Sequence, residues 1–109
     1  MADWVFTGGT TTIIQGIDNS ISDYEQWRQR VVQFILKIAE SPDFAVKDNG
    51  YEKFPEVLVG GVACFYRGKP FAIFCDLPNE LIICHNSLRL QLANDLINEL
   101  KTLWLKTMY

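Results

Sequence analysis

The sequence predicts one α+β domain over residues 1–109, built from a helix, a three- to four-stranded antiparallel β-meander and a long C-terminal helix, packed as a two- or three-layer sandwich. Three observations predict it. Residues 57–84 hold three apolar runs, at 57–66, 71–75 and 81–84, parted only by short turn-forming stretches. A helix start signal followed by apolar residues at helical spacing precedes them, and a leucine stripe at the same spacing follows.

Residues 1–19 form an N-terminal segment. Trp4-Val5-Phe6 leads through Gly8-Gly9 to Thr11-Thr12-Ile13-Ile14, a β-branched run that suits a short strand at a sheet edge. Trp4 and Phe6 are too apolar to be left in water, so the segment is expected to dock on this chain or on a neighbour.

The first helix is predicted from Ser22-Asp23-Tyr24-Glu25, a capping box in which the Ser hydroxyl accepts a backbone N–H and the Glu carboxylate reaches back. It should run to about Ala39, because Ser41 before Pro42 avoids helical backbone. Tyr24, Trp27, Val31, Phe34, Ile35 and Ile38 form its apolar stripe, widened by Val32, Leu36 and Ala39. A stripe that wide asks for cover on more than one side.

Phe44-Ala45-Val46 reads as extended, and Asp48-Asn49-Gly50 as a turn. In the first run of the meander, Gly60-Gly61 is read as a bulge that lets a bent strand continue, with a close approach of another backbone as the alternative. The three runs do not alternate apolar with polar as a half-solvated sheet does, so both sheet faces are expected to need cover from helices, a partner chain or both. The last helix is expected to start with Asn86 or Ser87 as its cap and to run to about Lys106. Leu88, Leu92, Leu96, Leu100 and Leu103 make its core stripe, which leaves Leu90 and Leu105 outside it as interface residues.

The formal net charge is −3 and the basic residues are scattered, so the clustered cations of a phosphate-binding surface are missing and nucleic acid is not an expected partner. No apolar stretch reaches the roughly 18 residues that cross a bilayer, and the first residues lack the pattern of a signal peptide. No membrane is expected. Three cysteines without paired spacing fit a reducing compartment, so the expected location is cytoplasmic.

Few groups offer chemistry. Cys75, Cys84 and His85 are weak metal candidates, since a hairpin closed around residues 77–79 would bring Cys75 near Cys84. The usual Cys-x-x-Cys pairs are absent and the cysteines sit in apolar runs, where Cys64, Cys75 and Cys84 read as core residues. A cysteine nucleophile would depend on His85, the single histidine, and Cys84 would point away from its ring across the strand. Gly8-Gly9-Thr10 lacks the lysine of a phosphate loop, and Asp43, Asp48 and Asn49 miss the spacing of a calcium loop. No cofactor is expected.

Aromatic residues make up 13% of the chain, more apolar surface than two helices and one sheet readily cover among themselves. The expected function is therefore a non-enzymatic protein-binding module, an assembly factor or chaperone-like adaptor holding an extended or amphipathic segment of one client protein. Trp4, Phe6, Ile13, Ile14, Val57, Val59, Leu90 and Leu105 are the expected partner-binding residues, with a free sheet edge near Ile13-Ile14 or Val57–Val59. A homodimer is expected for the same reason. The alternatives are a small-molecule sensor with a pocket between helix and sheet, and an enzyme using His85 with a cysteine.

Overall fold

The computed structural model describes residues 3–6, 10–15, 21, 23–75 and 77–107, without the side chains of residues 3–6 and Val59. In chain order the elements are β1 (Asp3–Phe6), β2 (Thr11–Gln15), α1 (Tyr24–Glu40), β3 (Phe44–Val46), a 3-10 helix (Pro55–Gly60), β4 (Val62–Tyr66), β5 (Lys69–Phe74), β6 (Glu80–Cys84) and α2 (Leu90–Lys106). The α+β architecture with its long C-terminal helix is as the sequence predicts. The sheet is wider, with six strands in the order β1-β2-β6-β5-β4-β3, every neighbouring pair antiparallel.

The meander closes through local chemistry. Arg67 and Gly68 hold positive φ of 50° and 81°, the two-residue turn whose twist matches that of the strands it joins, β4 and β5. The β1–β2 hairpin then adds to β6, with Ile13 opposite Ile82 and Ile14 opposite Leu81. These additions lie at opposite ends of the sheet from β3, so α1 must cross the whole sheet to join β2 to β3.

Four sequence expectations are corrected here. The strand expected over 57–66 begins only at Val62, because Pro55 opens a 3-10 turn and Gly61 ends it. Gly61 is a helix-terminating residue at φ 86°, not a bulge, and a Cβ there would sit 2.5 Å from Cε1 of Phe74. The close approach at this glycine is by an aromatic ring. For the first helix the cap is Asp23, whose Oδ2 accepts from the Gln26 N–H at 3.3 Å; Ser22 lies outside the described residues. For the second, Asn86 and Ser87 lie in turns before the helix, and Arg89 occupies the cap position without a side-chain bond.

Both helices lie on one face of the sheet, giving two layers. Trp27, Val31, Phe34, Ile35 and Ile38 of α1 and Leu96, Leu100 and Trp104 of α2 are buried against Ile14, Val62, Cys64, Tyr66, Ile73, Leu81 and Ile83. Trp104 links the helices, with its ring 5.7 Å from that of Trp27 and edge-on to Phe34 at 5.0 Å. Polar tethers fix the helices to strands. Trp27 Nε1–H donates to the Glu80 carbonyl at 3.1 Å, and the Tyr24 hydroxyl donates to the Cys75 carbonyl. The Tyr66 hydroxyl donates to Glu99 Oε1 of α2 at 2.9 Å; burial and that carboxylate push its pKa up to about 12.

Candidate functional site: the uncovered sheet face

Alternation along a strand sends neighbouring side chains to opposite faces, and among the described elements only one face carries helices. In β4 the buried residues are Val62, Cys64 and Tyr66, while Ala63 and Phe65 between them are exposed. In β5 Phe71 and Ile73 are buried, and Ala72 and Phe74 are half-buried on the other side. In β6 Leu81 and Ile83 are buried, and Ile82 and Cys84 are half-buried.

The register joins the outward residues into rows. Ala63 lies opposite Ala72, Ala72 opposite Cys84, and Cys84 opposite Thr11. Phe74 lies opposite Ile82, and Ile82 opposite Ile13, while Ala45 lies opposite Phe65. The result is a continuous apolar band across β2 to β6. Its one charged group among the described side chains of the strands is Glu80 at the rim, where Oε2 accepts from Gln15 Nε2 at 3.0 Å. A shallow open depression of about 280 Å³ is lined by Ala63, Pro70, Phe71, Ala72 and Cys84, with Asn86 and Ser87 beyond the end of β6. Phe65 and Phe74 flank it as ridges, and Phe65 is 40% exposed. Monomeric proteins rarely leave so continuous an apolar surface to water.

The residues expected to bind a partner fall in different places. Ile13 is on the band. Ile14, its neighbour, is fully buried beneath the helices and offers nothing to a partner. The backbone of Trp4 and Phe6 pairs in β1 with Ile14 and Thr12, and their side chains lie outside the description. Val57 is half-buried in the 3-10 helix, and the side chain of Val59 is not described. Leu90 and Leu105 are exposed at 58% and 65%, but on α2, across the sheet from the band. The expected free edges are also corrected: β2 is flanked by β1 and β6, and residues 57–59 are not a strand, so the edges are β1 and β3.

Phe65, Phe74, Ile82, Ala63 and Ala72 were not singled out by sequence. Their signal was the missing alternation in the three runs, which requires apolar side chains on both faces. What the pattern does not say is that both helices choose the same face.

The chemical candidates are dispersed. Cys84 is on the open face and pairs with Ala72, whereas Cys75 is buried on the helix side beyond the other end of β5, so the hairpin does not bring the two together. No group of three His, Cys, Asp or Glu residues able to hold a metal exists among the described residues. Burial pushes the Cys64 thiol up to about 12, which keeps it protonated and a poor nucleophile.

His85 is fully buried next to β2, with Nε2 2.9 Å from Thr12 Oγ1 and its backbone N–H donating to the Thr10 carbonyl at 2.8 Å. Burial lowers its pKa below the usual histidine value. The folded state therefore binds fewer protons at this site than the unfolded chain, whose imidazole titrates near about 6.5. Stability should be full above that value and fall as the pH drops through it toward the folded pKa. Urea midpoints at pH 7.5 and 5.5 should show the decline, and His85→Gln should flatten it.

Comparison with protein-family models, curated proteins and solved structures finds no match for this chain. Among the described residues no helix is long and apolar enough to cross a membrane.

Proposed function

We propose that this protein is a non-enzymatic protein-binding module of the assembly-factor or chaperone-like adaptor kind, which holds a segment of one client protein on the uncovered face of its sheet. The observation that carries this reading is the continuous apolar band of Ile13, Ile82, Cys84, Ala72, Phe74, Ala63 and Phe65 opposite the helices. The band is long in both directions and open at its sides, which suits an amphipathic segment laid across it better than a small ligand needing enclosure. Phe65 and Phe74 are the natural anchors, since aromatic side chains supply large contact area at small entropic cost. A cytoplasmic setting accords with the free thiols of Cys64, Cys75 and Cys84.

The test is recovery of the tagged protein from its native cells under gentle crosslinking, wild type beside Ile82→Lys and Phe65→Lys. The expected result is one stoichiometric client that both substitutions release. A client retained by both variants would overturn the assignment to this face, and recovery of no other protein would overturn the adaptor reading.

A further inference from the structure

We infer that Asn49 is a site of covalent self-modification: its side-chain amide is attacked by the backbone nitrogen of Gly50, and the Asp48 carboxylate holds the rate down. The inference is independent of the adaptor reading.

The turn that follows β3 brings the reacting groups together. Gly50 holds a φ of +79°, a conformation that residues with a Cβ rarely adopt, so the turn requires glycine. Glycine is also the residue that shields its own nitrogen least. Asn49, directly before it, is exposed and lies in neither helix nor strand. The other described asparagines are placed less well. Asn94 and Asn98 lie within α2, where the N–H of the next residue belongs to the helical ladder. Asn79 precedes Glu80, whose N–H donates to the Leu77 carbonyl at 3.3 Å and whose side chain crowds the nitrogen. Asn86 precedes Ser87 in a turn, which makes it the slower competitor.

Water is the one co-reactant. The Gly50 nitrogen gives up its proton and bonds to Asn49 Cγ, the Cγ–Nδ2 bond breaks, and the amide group leaves as ammonia. Water then opens the cyclic imide. Cleavage of the bond from nitrogen to Cγ yields aspartate, whereas cleavage of the bond from nitrogen to the main-chain carbonyl carbon yields isoaspartate, with the chain rerouted through Cγ. Either product adds one negative charge to the formal −3 of the chain.

Asp48 opposes the first step. Its Oδ1 accepts the Gly50 N–H at 3.1 Å, closing a turn through the side chain. That bond has to break before the nitrogen can reach Cγ, and the charge of the carboxylate repels the amide anion that forms beside it. The side chain that shapes the turn thereby slows its chemical loss.

Wild type, Asp48→Ala, Asp48→Ser and Asn49→Ser, each checked for native circular dichroism, are incubated in mildly alkaline buffer and followed by isoelectric focusing and peptide mass mapping. The expected result is an acidic wild-type species modified at residue 49 before any other asparagine. Asp48→Ala should form it about fivefold faster, the factor that one exposed hydrogen bond carries. Asp48→Ser, which keeps a weaker uncharged acceptor, should fall between the two, and Asn49→Ser should form no product at this residue. Asp48 is exposed, so its replacement leaves the core untouched. First modification at another asparagine, or an Asp48→Ala rate no higher than that of the wild type, overturns the inference.

Discussion

Ile83→Lys is expected to prevent folding, while Ile82→Lys, one residue away on the same strand, is expected to leave the fold intact. Ile83 is buried beneath the helices, opposite Ile73 on one side and Thr12 on the other. A lysine there either buries an unpaired ammonium or pushes the helices off the sheet, and both routes cost more than about 4 kcal/mol, most of the stability of a domain this size. Ile82 points to the uncovered face, where a lysine reaches water directly and should change stability by no more than about 1 kcal/mol. Urea unfolding followed by circular dichroism separates the two. Equal destabilisation by both substitutions would mean that the second face is covered within a single chain, and the proposed contact surface would not exist.

Trp27→Ala is expected to cost about 4 kcal/mol, near the upper end for a buried large-to-small change. Trp27 has no exposed surface, and its ring packs against Trp104 where α1 and α2 meet. Its indole N–H also donates to the Glu80 carbonyl at the start of β6, so the substitution removes the side chain that ties α1 to both its neighbours. Chemical denaturation should show the midpoint falling with little change in slope. A loss below about 1 kcal/mol would contradict the burial of this residue. Trp27→Phe, which keeps most of the ring but not the donor, should fall between the two and separate packing from the hydrogen bond.

Much of the protein was legible in the sequence where the determinants are local. The α1 stripe from Trp27 to Ile38 buries as its spacing requires, because helical periodicity alone selects a face. Residues 41 and 42 end that helix, Phe44–Val46 is extended, and Arg67-Gly68 turns the chain, each through backbone preferences carried by one or two residues. The exposure of Leu90 and Leu105 also follows from the leucine period of α2.

Other features depended on contacts between residues far apart in the chain. Residues 57–60 look like strand by composition, yet Pro55 and the positive φ of Gly61 make them a 3-10 turn, packed where Phe74 of another strand covers the glycine. Ile13 and Ile14 are equivalent by sequence, and only the pairing of β2 with β6 buries one beneath the helices and leaves the other on the open face. The sequence by itself determined that the strands are apolar on both sides and that two amphipathic helices exist to cover them. Only the tertiary structure decided that both helices take the same face. Helix stripes and strand alternation state how much apolar surface needs cover, but which surfaces meet is settled by chain crossings and long-range pairing, and here that leaves the other face of the sheet without a helix over it.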